Sequence, residues 1–335
     1  MYESLHNHTT ASDGTQTYGE VLATAKREGF GTIAFTDHDM LPTKTDLDFL
    51  RAYQGPVKWL LGCEISSGLP TELGGSKAGT IHVLGLFTDP TNAALQEHSR
   101  QALSARTERM ERMVGNLRNL GFTISIDDCL EASGGDNVGR PHIVRALNSH
   151  LENRAVIAGI KDQMEAAAKT SPTIAMDYLY MLERHPSDHP YRLFLSDDAF
   201  IPGVYVDYLY SIDLDESVEL IRQAGGKAAI AHWWTYLRKI DELAMEGLLR
   251  DKRLDFVEVC SGMVDHKVER YGKVLVEMAK RVGSIPQTIG IDGHSDSDIA
   301  HYANNRSVAV RTEGQTQAYI EAFKPNLDWT NFAPK

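Results

Sequence analysis

Nine side chains in this sequence have the types and spacing of ligands for divalent cations. His6-Asn7-His8 ends a short strand-like run. Residues i and i+2 on a strand share a face, so both imidazoles can reach one ion. Asp13 follows in the polar loop Ala11-Ser12-Asp13-Gly14, and Thr36-Asp37-His38-Asp39 directly follows the apolar run Thr32-Ile33-Ala34-Phe35. Glu64 lies at the end of Trp59-Leu60-Leu61-Gly62-Cys63, where an unpaired carboxylate is costly to bury. His82 interrupts the apolar run from Ile81 to Leu86, and His232 ends Ala228-Ala229-Ile230-Ala231. Asp292-Gly293-His294 repeats the i, i+2 spacing after Ile289–Ile291.

Each piece alone has an ordinary structural explanation. The His-x-His is a solvated turn, Asp13 a turn residue, Asp37 or Asp39 a helix N-cap, Glu64 a satisfied buried glutamate and His82 a hydrogen-bonded core histidine. Taken jointly, that explanation needs a separate coincidence at every position. Six imidazoles and three carboxylates exceed one tetrahedral site of about four ligands. They fit two or three divalent ions sharing a bridging carboxylate, and nitrogen and oxygen donors without thiolate suit Mn, Fe or Zn.

The elements that must position these residues alternate. Strands are expected at Tyr2–His6, Thr32–Phe35, Val57–Ile65, Ile81–Phe87, Lys227–Ala231, Phe256–Cys260, Ile285–Ile291 and Val308–Val310. Helices are expected between them, opened by patterns such as Thr17-Tyr18-Gly19-Glu20. Such alternation predicts βαβ units and a parallel sheet closed, or nearly closed, into a barrel, with its chemistry at the C-terminal strand ends. Residues 1–90 and 212–335 form this discontinuous barrel. Residues 91–211 read as a mostly helical insertion containing Gly139-Arg140-Pro141-His142.

Composition narrows the classes. The chain has 335 residues, with 34 basic against 46 acidic, for a formal charge of −12. That balance opposes binding to long nucleic acids. A polar N-terminus predicts no secretory signal. No apolar run reaches the roughly 18–20 residues of a membrane span. Cys63, Cys129 and Cys260 are widely spaced and odd in number, which predicts buried free thiols and a cytoplasmic location.

In order, Leu5-His6-Asn7-His8-Thr9, Ser12-Asp13-Gly14, Thr36-Asp37-His38-Asp39, Gly62-Cys63-Glu64-Ile65, Ile81-His82-Val83-Leu84-Gly85, Gly139-Arg140-Pro141-His142, Ile230-Ala231-His232 and Asp292-Gly293-His294 make a set that resembles the PHP (polymerase and histidinol phosphatase) family. The nearest subgroup is its stand-alone metal-dependent phosphoesterases. The resemblance implies an α/β fold, a distorted (β/α)7 barrel with a mostly helical inserted domain, and up to three metals. It assigns His6, His8, Glu64 and Asp292 to one ion, Glu64, His82 and His232 to a second, and Asp13, His38 and His294 to a third. Arg140 and His142 would grip phosphate. As a separate expectation, Asp37, His142 or a water on the third ion would serve the leaving group. The implied activity is hydrolysis of a small phosphorylated substrate, a nucleotide or nucleoside phosphate monoester. A phosphodiesterase or 5′→3′ exonuclease on short oligonucleotides or cyclic phosphates, and an inactive metal-binding regulatory module, are the alternatives. The sequence departs from the family after His232, where Trp233 and Trp234 stand in place of proline. Trp233 is therefore a candidate to stack on a substrate ring, or simply to pack. Ile201–Val206 also lacks the family's basic residue.

Overall fold

The apolar runs become strands in the computed structural model, which describes residues 1–76, 79–262, 265–304, 312–325, 327–328 and 333–334. The expected strand Val308–Val310 lies outside the described residues. Contacts divide the chain into one unit of residues Met1–Ala102 and Tyr210–Lys335 and a second of Leu103–Leu209.

In the first unit, β1 (Tyr2–Ser4), β2 (Phe30–Phe35), β3 (Lys58–Ser67), β4 (Ile81–Leu86) and β5 (Lys227–Ile230) form one sheet in that order. Helix α1 (Tyr18–Arg27) crosses from β1 to β2. Its start is fixed by a capping box, in which Thr17 Oγ1 accepts from Glu20 N–H and the Glu20 carboxylate accepts from Thr17 N–H. Helix α2 (Lys44–Ala52) crosses from β2 to β3 and is capped in the same way by Thr43 and Asp46. Crossovers of this kind leave β1, β2 and β3 parallel.

The all-parallel expectation fails at β4, which runs antiparallel to both β3 and β5. Among the described residues between Ser67 and Ile81 the helical element is a turn of 3-10 helix, Thr71–Leu73. A parallel pair needs a crossover, usually helical, whereas a direct return reverses the strand.

Strands β6 (Val257–Cys260) and β7 (Gln287–Ile289) pair in parallel. They join the β1 side through Leu5 N–H to Ile289 C=O at 3.1 Å and Asp292 N–H to His6 C=O at 2.9 Å. Between β5 and β6 the described backbone link is Asp255 N–H to Ala228 C=O, 2.8 Å, and no ladder forms there. The sheet is thus a curled half-barrel; among the described residues its ladders do not close a (β/α)7 barrel.

Alternation along the strands buries both faces. Ile33, Phe35, Leu61, Val83 and Ile230 face a core shared with the helices. Ala34, Leu60, Leu84, Ala229 and Phe256 fill the concave side. With both faces dry, the strands read as continuous apolar runs.

The second unit has no strand among its described residues. It takes the end of α3 (Ala93–Asn119), then α4 (Ile126–Ser133), α5 (Arg140–Ser149), α6 (Asn153–Ala168), α7 (Pro172–Leu182) and α8 (His189–Leu193). Met110, Leu117, Phe122, Leu147 and Phe194 form its own core. Buried Arg109 donates from Nε to Val206 C=O and lies over the Tyr208 ring, 4.2 Å from its centroid. Back in the first unit, α9 (Leu214–Gln223), α10 (Glu242–Arg250) and α11 (His266–Val282) follow.

Candidate metal centre

All nine residues singled out from sequence for metal binding meet at one end of the half-barrel. Three groups of them have ligand atoms lying within 4.8 Å of one another: His8, Asp13, His38 and His294; His6, His8, Glu64 and Asp292; and His38, Glu64 and His82. His232 joins through Nε2, 2.9 Å from Glu64 Oε1. His82 fits because β4 is reversed. It is the second residue of its strand and pairs with Ser66, so the start of β4 lies beside the finish of β3. Gly290 lets β7 close on β1, since a Cβ there would fall 2.2 Å from the His6 Cβ.

Glu64 is the hub. It is wholly buried, with Oε1 3.0 Å from His82 Nδ1 and Oε2 3.2, 3.2 and 3.1 Å from His6 Nε2, His8 Nε2 and His38 Nδ1. Despite these distances, Glu64 Oε2, Asp13 Oδ1 and His38 Nδ1 are buried and make no hydrogen bond. Atoms that converge without bonding to one another are arranged for something placed between them, and the donor set of imidazoles and carboxylates suits divalent cations.

The electrostatics agree. Burial works to raise the pKa values of Glu64, Asp13 and Asp292, but neighbouring imidazoles hold all three well below the ordinary carboxylate range. Burial works to lower His8, but Asp292 and Glu64 raise it to about 10. For His38 burial dominates, and its pKa falls to about 3 despite Glu64 and Asp13. Anionic oxygens beside a neutral imidazole attract a cation, and a cation that binds displaces protons from the remaining imidazoles.

The loops carrying these residues are tied down individually. Asn7 donates from Nδ2 to Ser4 and Ala34 carbonyls at 3.1 and 2.9 Å. Asp39, at φ 55°, accepts from Ser66 N–H at 2.8 Å and lies 3.2 Å from His98 Nε2, while His98 Nδ1 is 3.1 Å from the Tyr210 hydroxyl. His232 and Asp292 also take left-handed conformations, at φ 33° and 54°. Such backbone strain persists only where surrounding contacts impose it.

The other residues nominated from sequence fare differently. Asp37 is buried, and its oxygens accept from Thr9 N–H, Thr9 Oγ1, Ser12 Oγ and Tyr18 OH at 2.7, 2.9, 2.6 and 3.1 Å. Trp233 is not offered to any ligand. It is wholly buried, donates from Nε1 to Ile240 C=O at 2.8 Å and packs edge-on to Tyr271. The reason is local: Trp233–Thr235 forms a 3-10 turn that carries the indole inward. Tyr236, half-buried, lies against the cluster instead, with its ring 5.5 Å from that of His232 and 6.3 Å from that of His82.

Arg140 and His142 belong to the second unit, at the start of α5. Arg140 lies 5.7 Å from the centroids of both the Tyr191 and Tyr205 rings and donates to Leu195 C=O at 3.3 Å; among the described residues it pairs with no carboxylate. His142 is buried, and its Nδ1 accepts from Gly139 N–H at 2.9 Å.

Sequence reasoning missed Glu258, which is buried on β6. Its Oε1 lies 2.8 Å from His6 Nδ1, and its Oε2 accepts from His232 N–H at 2.6 Å. The available signal was a charged residue inside Phe256-Val257-Glu258-Val259-Cys260, an otherwise apolar run.

Fold and cluster together define a mixed α/β domain with a buried His/Asp/Glu cluster that could hold metal ions. Residues 4–124 match the family model of the PHP domain. Among characterised relatives, it is 26% identical over 229 residues to a 3′,5′-nucleoside bisphosphate phosphatase of Chromobacterium violaceum, covering 68% of this chain and 65% of that one. It is 28% identical over 151 residues to a phosphoribosyl 1,2-cyclic phosphate 1,2-diphosphodiesterase of Eggerthella lenta, covering 44% and 55%, and 28% identical over 233 residues to the 5′-3′ exoribonuclease Rnm of Escherichia coli, covering 68% and 64%. The matches thus span 55–65% of these relatives' own lengths. Among solved structures, a Bifidobacterium adolescentis protein described as a candidate metal-dependent phosphoesterase superposes with a TM-score of 0.59 at 25% identity, covering 87% of each chain. An amidohydrolase from Chromobacterium violaceum shares the fold, with a TM-score of 0.59 at 24% identity over 88% of each chain.

Proposed function

We propose that this chain is a metal-dependent hydrolase of phosphate esters, acting on a small phosphorylated substrate such as a nucleotide or nucleoside phosphate monoester. The observation that carries the reading is the Glu64 carboxylate, wholly buried and faced by five imidazoles, with one oxygen left without a hydrogen bond. His6, His8, Glu64 and Asp292 hold one ion, Glu64, His82 and His232 a second, and Asp13, His38 and His294 a third. Bound divalent ions of this kind (Mn, Fe or Zn) supply a strongly nucleophilic water near neutral pH and neutralise charge on phosphoryl oxygens.

The protein's own part is positioning. Arg140 offers a guanidinium uncommitted to any described carboxylate, suited to a phosphate fork. His142 accepts the Gly139 N–H with Nδ1 at the start of its own helix, which leaves the ring proton on Nε2. Asp37, with four donors on its two oxygens, clamps the loop that carries Asp13 and takes no part in proton transfer. Tyr236 takes over the substrate-facing aromatic role first considered for Trp233. The three cysteines are buried and free, which supports a reducing, cytoplasmic setting; among the described residues no helix is long and apolar enough to cross a membrane.

The names of the relatives favour a second reading, a phosphodiesterase or 5′→3′ exonuclease on short oligonucleotides or cyclic phosphates. One panel separates the two. Protein stripped by chelation and reloaded with Mn²⁺ is offered nucleoside monophosphates, nucleoside 3′,5′-bisphosphates, cyclic phosphates and short RNA, with phosphate release and chain shortening followed. Turnover of monoesters above the other substrates is expected. Reloaded protein that binds ions yet cleaves nothing would leave an inactive metal-binding module instead.

A further inference from the structure

We infer that Glu258 is a positioning residue that assembles two of the ion seats at once, a role that rests on the metal-binding reading but not on the identity of the substrate. Its two oxygens are divided between different strands. Oε1 holds His6 Nδ1, two residues past β1, at 2.8 Å; Oε2 holds the backbone N–H of His232, just past β5, at 2.6 Å. The carboxylate is wholly buried, and both contacts are direct.

The first contact sets a tautomer. With its proton kept on Nδ1 by Glu258, the neutral His6 ring presents a lone pair at Nε2, the nitrogen 3.2 Å from Glu64 Oε2 and 3.5 Å from Asp292 Oδ1. An acceptor on the far nitrogen also makes an imidazole a more basic ligand.

The second contact sets a backbone. His232 sits at φ 33°, ψ 50°, a conformation disfavoured for a residue with a Cβ, and its N–H is directed at Glu258. That turn brings His232 Nε2 to within 2.9 Å of Glu64 Oε1. Glu258 also stands where the sheet has no ladder, between β5 and β6. One side chain therefore bridges the open seam and orients a ligand on each side of the shared carboxylate.

Glutamine has the same shape but cannot serve both donors, because its amide nitrogen accepts from neither. The test is isothermal titration of chelator-stripped full-length protein with Mn²⁺, paired with the visible spectrum of the Co²⁺-loaded form and the melting temperature of the metal-free form. Glu258→Gln is expected to weaken Mn²⁺ binding by about 10–100-fold and to change the Co²⁺ band. Glu258→Asp keeps two acceptor oxygens but is one methylene too short to reach both donors, so it is expected to lose about tenfold, less than Gln. Gln binding Mn²⁺ as wild type does, with an unchanged Co²⁺ band, overturns the role. If Gln fails to fold, Asp decides: a loss of about tenfold or more supports the role, and unchanged affinity overturns it. Wild-type protein that binds no ion would overturn the metal reading itself, whereas an ion-binding protein without phosphoesterase activity leaves this inference standing.

Discussion

Replacing Glu64 with glutamine tests the centre at its hub. The change keeps volume and removes one charge from a wholly buried side chain. Breaking a buried ionic interaction by neutralising one partner costs about 3–5 kcal/mol. At about 1.4 kcal/mol per tenfold change in an equilibrium constant, that is a loss of roughly two to four orders of magnitude in ion affinity. The geometry makes the loss selective. Glu64 belongs to two of the three ligand groups, and the third, His8, Asp13, His38 and His294, does not include it. Glu64→Gln should therefore retain one tightly held ion and lose the others. Stoichiometry after dialysis, measured by plasma mass spectrometry, and Mn²⁺ titration give the two numbers needed. A variant that keeps the full complement at wild-type affinity would refute the hub. One that loses every ion equally would refute the separation of the seats.

Further outcomes follow from the same geometry. Chelation should lower the melting temperature and Mn²⁺ should restore it, since an ion at 100 times its Kd stabilises by about 2.7 kcal/mol; a melting curve indifferent to chelator would argue against tight sites. Asp37→Asn should destabilise the fold by about 1–3 kcal/mol by disturbing a buried four-donor clamp, and should leave the shape of the pH–rate profile intact. Loss of one limb of that profile would restore Asp37 as a proton donor. Trp233→Phe should cost about 1–3 kcal/mol of stability with KM unchanged, whereas Tyr236→Ala should raise KM; the opposite pattern in steady-state assays would reverse their roles.

Apart from Asp13, which stands in a polar loop, the cluster residues were legible because each interrupts or closely follows an apolar run, where burying a polar group demands a partner. Their convergence could be argued from strand ends alone. The direction of β4 could not be read from its residues, because an apolar run carries no sign of orientation. It lay in the connection before it, which among the described residues holds no crossover helix. Glu258 escaped because its partners, His6 and His232, are distant in sequence and one of them contributes only a backbone N–H. Trp233 was ambiguous because adjacency to a ligand in sequence does not fix a side chain's direction; the 3-10 turn does that.

The reversed strand has an evolutionary consequence. In an all-parallel barrel every connection at the reactive end leads into a helix that must still reach the sheet's far side, so its length is constrained. Here the connection from Ser67 to Ile81 leaves and re-enters the sheet at that same end. It can lengthen, shorten or change character without moving Glu64 or His82, whose positions the β3–β4 ladder holds. Descendants of this chain are free to redraw that edge of the opening and try new substrates while the ions stay in place.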